Sequence, residues 1–306
     1  MFETYAEPEL IKVRHRHAEA YFFLAPALLF LGVFFAYPVF WTLRVSVTEY
    51  QPVTGTARAL VLSHYRDVLS SAATWRSILN TVYFAVVYIP FTLLLACALA
   101  ALMSRCLRSR PLLKTIFCAP CIIPAVAAAL IWRAAYTPAG GAIDRALHLF
   151  GYYHPRGWTG WLAEARLAMP CIALMCVWRD TGLFALILLA ALGRIPRSAY
   201  ELAETDGATR WETFKHITLP MCLGTVSLCV VMLVINVQNV FQEIYVMTED
   251  GGPANWTVNI PFLVYHNAYL DYDWGHATAL SAVLFAVTVV LILIQNRALN
   301  RRLNWT

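Results

Sequence analysis

Six apolar stretches, at 21–47, 79–103, 112–136, 167–192, 219–247 and 276–295, limit what this chain can fold into more than any other feature. Each has about the 20 residues that a helix needs to cross the hydrocarbon of a bilayer. None alternates apolar with polar residues at a period of two, which excludes a transmembrane β-barrel. With 60% hydrophobic and 13% charged residues, the 306-residue chain has too little polar surface for a water-soluble globule. The expectation is an all-α membrane protein of six transmembrane helices at 21–296, between a polar lead-in at 1–20 and a short basic tail at 297–306.

Lys and Arg set the orientation. With the N-terminus inside, cytoplasmic segments carry 14 of the 23 basic residues, outer segments carry 6, and Arg44, Arg133 and Arg179 fall within spans. That bias places both termini and the segment 194–220 in the cytoplasm. The net charge of +5 is then a topology signal and implies no nucleic-acid partner. Lys12, Arg14 and Arg16 in the lead-in are expected to lie against anionic lipid. The first apolar run is long and is followed by further spans, so it reads as an uncleaved first helix. All 8 cysteines lie in or beside the apolar stretches, so no disulfide framework is implied. Cys118-x-x-Cys121 has redox spacing, but it encloses Pro120 in an apolar run, and small-residue packing is the better reading.

Segment 194–220 is the longest water-soluble stretch on its side of the membrane. Ser198-x-x-Glu201 and Thr209-x-x-Glu212 both read as capping boxes, in which a hydroxyl and a carboxylate satisfy amides at a helix start. Gly207 between them turns the chain without a Cβ penalty. Pro220 fits the first turn of the next apolar run. The expectation is helix, glycine turn, helix, placed where a cytoplasmic partner can push.

Polar residues inside the spans are costly and therefore functional candidates. Arg179 and Asp180 stand together in the fourth span. Successive residues diverge by about 100° on a helix, so the two are expected to find separate partners on other helices rather than neutralise each other. A structural ion pair and a contact with cargo are both open. Asn236, Gln238, Asn239, Gln242 and Glu243 fall within an arc of about 160° on the fifth span, treated as one helix. That face must look inward, either to pack helices or to offer amides to a hydroxyl-rich cargo. Asn80 and Thr81 are placed to cap the outer end of the second span. Pro111, Pro120 and Pro124 kink the third, which should then face protein or a wet pathway. Tyr152, Tyr153, Trp158 and Trp161 in the outer segment 137–166 suit an interfacial aromatic belt or a surface that receives a binding protein.

In order along the chain, Glu201, Ala203, Asp206, Gly207, Ala208, Trp211, Phe214, Ile217, Leu219 and Pro220 resemble the EAA loop of permease subunits of bacterial binding-protein-dependent ABC importers. Leu202 stands where that family's first Ala is usual. The resemblance extends to Asn80-Thr81-Val82-Tyr83-Phe84, to 34–50 and to 138–147, where Asp144 replaces the usual Asn. Thr248 to Thr257 is similar to the T-x-G-G-P-x-x-x-T segment of the sugar and glycerol-phosphate branch, with one extra residue before the glycines. Residues 265–279 also resemble that branch.

The resemblance implies a type I ABC importer permease fold and a role as half of a translocation pathway for a carbohydrate in the cytoplasmic membrane. It implies a homologous second permease, two ATPase subunits that bind ATP and Mg, and an extracytoplasmic substrate-binding protein. Coupling would fall to Glu201, Ala203, Asp206, Gly207, Ala208, Trp211 and Phe214. The tail at 297–306 lacks the segment typical of the second sugar permease, which suggests the first subunit type with a distinct partner chain. No Gly-x-x-x-x-Gly-Lys-Ser/Thr occurs, so this chain is expected to be a non-catalytic subunit without a cofactor of its own. Glycerol 3-phosphate or another small polar solute is an alternative cargo. An ion-coupled secondary transporter using Asp180 and Glu243 is the alternative mechanism, and no catalytic constellation favours a membrane-embedded enzyme.

Overall fold

Prolines and small residues shape the helices that the apolar runs form. The computed structural model describes residues 17–51, 54, 56–105, 110–138, 140–154, 158–249 and 251–303. Lys12, Arg14, Arg16, Cys106, Arg108, Arg156 and Asp250 lie outside them. The first span is α1 (His17–Leu31), a π-helical turn (Gly32–Ala36) and α2 (Tyr37–Ser46). Pro38 sits in the first turn of α2. A proline has no amide to donate and its ring crowds the preceding turn, so the helix widens just before it. The same device recurs at Pro220, after the π-helical turn Phe214–Thr218.

A bulged antiparallel hairpin, β1 (Thr48–Gln51) and β2 (Thr56–Leu60), follows the first span with Glu49 opposite Arg58. This small sheet adds to the all-helical expectation without touching the bundle's architecture. Next come α3 (Ser63–Ser70), α4 (Ala72–Arg105), α5 (Arg110–Ile122), α6 (Ala125–Ala135), α7 (Ala142–Leu149) and α8 (Ala165–Leu192). The third span is broken rather than kinked: α5 and α6 meet at 103° around Ile123 and Pro124. The remaining helices are α9 (Arg197–Thr205), α10 (Arg210–Thr213), α11 (Leu219–Asn239), α12 (Gln242–Thr248), α13 (Ile260–Tyr265) and α14 (Trp274–Leu303). Because α14 runs to Leu303, the basic tail begins as a continuation of the last span.

The core is the contact of α4 with α8, the most extensive in the fold. Tyr88, Ile172, Met175, Cys176 and Phe184 are fully buried there, beside Ala96, Ala100, Ala173 and Ala185. Such small residues let helices approach closely, which matters where lipid supplies no hydrophobic drive between them. Gly182 is the extreme case, since a Cβ there would lie 1.9 Å from the Phe117 carbonyl oxygen of α5. Cys118 Sγ rests 3.5 Å from the Gly182 carbonyl, consistent with packing rather than redox chemistry. The first span, by contrast, has an almost wholly exposed apolar surface.

Three local expectations need correction. Asn80 does not cap the second span, because α4 already begins at Ala72. Its side-chain amide instead donates to the carbonyls of Val258 (2.8 Å) and Asn255 (3.2 Å), and Thr81 bonds back to Ser77. The capping box at Ser198 is not made, since α9 starts at Arg197 behind Pro196, whose fixed φ begins the helix without a side-chain cap. The fifth span is not one helix: it breaks at Val240 and Phe241 between α11 and α12. No proline or glycine marks that break. The Val240 carbonyl released by it accepts the side-chain amide of Asn259, whose Oδ1 also caps α13 through the Phe262 amide (3.0 Å). A carbonyl freed at membrane depth has to find such a donor.

Candidate functional site

Two groups of residues, at opposite ends of one rigid element, make up the candidate site. The first is the exposed helix pair α9 and α10. Gly207 has φ +76°, the left-handed conformation that glycine adopts freely. The Ala208 amide bonds to the Ala203 carbonyl (2.9 Å) and the Gly207 amide to that of Glu204 (3.1 Å), which closes α9. Thr209 and Glu212 form the complete reciprocal capping box that starts α10. These bonds from the Thr209 amide and hydroxyl hold the Glu212 carboxyl below the usual carboxylate range.

Ala203 faces inward and is buried, whereas Glu201, Asp206, Gly207, Trp211 and Phe214 are exposed and Ala208 is half-buried. Trp211 and Phe214 stack at 5.7 Å, and Leu202 is also exposed nearby in sequence, so this polar loop presents an apolar surface. A cavity of about 650 Å³ lies behind the loop, between it and the adjoining ends of α4, α8 and α11. From Arg210 the helix continues through the π-helical turn to Asn239 without a bend large enough to interrupt it, a rod of 30 residues. At 1.5 Å per residue it is about 45 Å long.

The second group surrounds the far end of that rod. Arg179 Nε donates to Asp180 Oδ1 (2.8 Å) and Nη2 to Oδ2 (3.3 Å), while Nη1 donates to Glu243 Oε1 (2.6 Å). The expectation that neighbouring Arg179 and Asp180 would not neutralise each other is therefore wrong. Divergence by 100° applies to the Cβ atoms, but the long arginine stem curls back and brings its planar head to the adjacent carboxylate. The expected partners on other helices also exist, with Glu243 on α12 for Arg179 and Tyr88 on α4 for Asp180. The Tyr88 hydroxyl donates to Asp180 Oδ2 (2.6 Å) and accepts from Asn236 Nδ2 (3.4 Å).

Arg179, Asp180, Glu243 and Asn236 are thus brought together, and Tyr88, which sequence reasoning passed over, is the bridge. Its signal was present: a phenol within an apolar span must find an acceptor. Gln238 is half-buried, whereas Asn239 and Gln242 are exposed on the surface of the single chain. The single polar arc drawn through 243 does not survive the break at Val240, because α12 starts a new helical phase. Glu243 is nonetheless buried, and its Oε2 has no hydrogen-bond partner among the described residues.

At the end of α12, Arg133 of α6 donates to the Val246 carbonyl (3.1 Å) and pairs with Glu249. The following turn carries Glu249, Ala254 and Asn255 at positive φ (42°, 51° and 60°). Non-glycine residues there are strained, and the bonds from Asn80 to the Asn255 and Val258 carbonyls, with that from Arg76 to the Ala254 carbonyl (3.3 Å), hold the turn. Thr257 Oγ1 closes it onto Gly251. The aromatic residues between α7 and α8 make more specific contacts than an interfacial belt requires. Trp161 Nε1 donates to the buried Asp144 (2.7 Å), which also contacts His154 (3.1 Å), and His154 stacks on Trp158 at 4.3 Å.

Comparison with known proteins bears directly on this arrangement. The chain is 31% identical over 279 residues to the trehalose/maltose transport system permease of Thermococcus litoralis, covering 91% of this chain and 92% of that protein. It is 29% identical over 295 residues to the lactose transport system permease of Rhizobium radiobacter, covering 94% and 96%. The fold matches a crystallised bacterial alginate ABC transporter bound to its pentasaccharide-loaded periplasmic protein, with TM-score 0.81 at 22% identity over 94% of this chain and 95% of that one. Residues 22–305 match the family described as binding-protein-dependent transport system inner membrane component, and with the broken spans and the glycine-closed helix pair in place, the chain belongs to that family of multi-pass ABC importer permeases.

Proposed function

We propose that this chain is half of the membrane pathway of an ATP-driven carbohydrate importer, with both termini and α9–α10 on the cytoplasmic side. The observation that carries the reading is the rod from Arg210 to Asn239, which joins the exposed α10 to the polar cluster around Arg179. An ATPase pair that closes on ATP would shift α9 and α10, where Trp211, Phe214 and Leu202 offer apolar contact and the cavity behind them leaves room to move. The rod would deliver that shift to the break at Val240. There the Arg179, Asp180 and Glu243 cluster holds α8 to α12, and the exposed amides of Asn239 and Gln242 face cargo or the second permease.

Carbohydrate is favoured over glycerol 3-phosphate because the one guanidinium of this cluster is already bound by two carboxylates. A phosphate would need that group free. The named cargoes of the two permease relatives are both disaccharide systems, which supports the same class here.

The test is uptake of a panel of radiolabelled disaccharides by the complete transporter in proteoliposomes. Gly207→Trp is expected to abolish ATP-driven uptake while membrane insertion persists, since the side chain would project into open space on the docking face. Gly207→Ala should be much milder, limited to a left-handed strain of about 1–2 kcal/mol. Full uptake by the Trp variant, or uptake driven by a proton gradient without ATP, would sink the proposal.

A further inference from the structure

Away from the rod and its polar cluster, two short sequence patterns mirror each other: His64-x-x-Asp67 in α3 and Asp273-x-x-His276 at the start of α14. A spacing of three puts each pair on one helical face, and α3 packs against α14. With one crossing per span, both lie on the membrane face opposite α9–α10.

Ligand atoms of His64, Asp273 and His276 lie within 4.8 Å of one another. Asp67 Oδ2 is 3.6 Å from His276 Nε2. Asp273 is held in place as the N-cap of α14, with Oδ1 accepting the His276 amide (3.0 Å) and leaving Oδ2 to face the imidazole. That second oxygen is 2.6 Å from His276 Nδ1, yet the pair is not aligned as a hydrogen bond.

His64 is the least satisfied member. Both of its ring nitrogens are shielded from solvent and neither has a hydrogen-bond partner among the described residues. The imidazole lies against the start of α14 because residue 275 is glycine, where a Cβ would be 2.6 Å from ring atoms Cε1 and Nε2. Buried nitrogens without partners are costly, and a cation would take the lone pair of one of them.

We infer that His64, His276 and Asp273 form a divalent transition-metal site that staples α3 to the outer end of α14, with Asp67 facing the other ring nitrogen of His276. Two neutral imidazoles and one carboxylate supply three donors, which suits Zn²⁺ in a tetrahedral set completed by water, and Asp67 on the second His276 nitrogen is the carboxylate that would orient that ring. Ligands about 2.0–2.2 Å from one ion sit roughly 3.3–3.5 Å apart. The three ligand atoms lie within 4.8 Å of one another, so closing on one ion asks for changes of roughly 1.5 Å at most, within reach of the exposed Asp273 side chain. The same side chain gives the ion a route from solvent.

The test uses the full chain, purified with its partner subunits on an affinity tag free of histidine and dialysed against buffered zinc. Metal content is read by mass spectrometry. One Zn²⁺ per chain is expected in the wild type, with affinity reduced about tenfold or more in His64→Gln and in His276→Gln. His266→Gln, which removes the outer histidine paired with Asp271, should bind as the wild type does. If either variant folds poorly, Co²⁺ added to the wild-type complex decides: a visible tetrahedral band displaced by zinc supports the site. No zinc in the wild type, equal zinc in the His64 and His276 variants, or a Co²⁺ spectrum of the hydrated ion would overturn it.

Discussion

Arg179 illustrates how one residue can hold a membrane protein's interior together. Its guanidinium neutralises two buried carboxylates on two helices, and each side chain is largely out of contact with solvent. Removing one member of a buried ionic cluster leaves the others uncompensated, at a cost of about 3–5 kcal/mol. Arg179→Ala should therefore lower the melting temperature of the purified chain far more than Tyr88→Phe. The latter removes one hydroxyl with its bonds to Asp180 and Asn236, an effect of about 1 kcal/mol by membrane double-mutant standards. Adding Glu243→Gln to Arg179→Ala should recover part of the loss, because one of the stranded charges disappears. Equal melting of the Arg179 and Tyr88 variants would show that the cluster is not cooperative. Sequence alone identified Arg179, Asp180 and Glu243 as costly, but their pairing depended on where a flexible arginine head could reach.

At the scale of elements, the helix pair α9–α10 was legible because its signals are local. Gly207 and the Thr209 and Glu212 box act over one turn each, and both hold; Pro220 instead falls inside the continuous rod, where the π-helical turn before it accommodates its missing amide. The Ser198 box failed because Pro196 starts α9 two residues earlier than the box requires. The working cap also has a pH dependence of defined sign. Glu212 is depressed by the bonds from Thr209, so its contribution is complete above the unfolded carboxyl value of about 4.3 and is lost as pH falls through the folded value. Amide exchange across 209–213 should be slower in the wild type than in Glu212→Gln near neutral pH. The difference should vanish in strong acid, and identical exchange at neutral pH would remove the cap from the account. The break between α11 and α12 was not legible, since its stabilising donor, Asn259, lies 19 residues further along the chain.

For the molecule as a whole, close packing around α8 is what allows a bundle of mostly apolar helices to be specific. Gly182 brings α8 against the backbone of α5, so Gly182→Leu should force the two apart. Overpacking of this kind costs about 1–3 kcal/mol or more, and the variant should show reduced thermal stability and reduced yield of assembled transporter. A variant that melts and assembles like the wild type would mean that α5 is free to move away. Six apolar runs and locally capped turns were enough to specify a membrane bundle with an exposed polar helix pair, because hydrocarbon thickness and backbone hydrogen bonding act on composition and on neighbouring residues. Which polar side chains meet was decided only by the packed helices. Arg179 with Glu243, Asn259 with Val240 and the paired His64 and His276 are joined across tens to hundreds of residues, and no periodicity in the chain records a contact made through space.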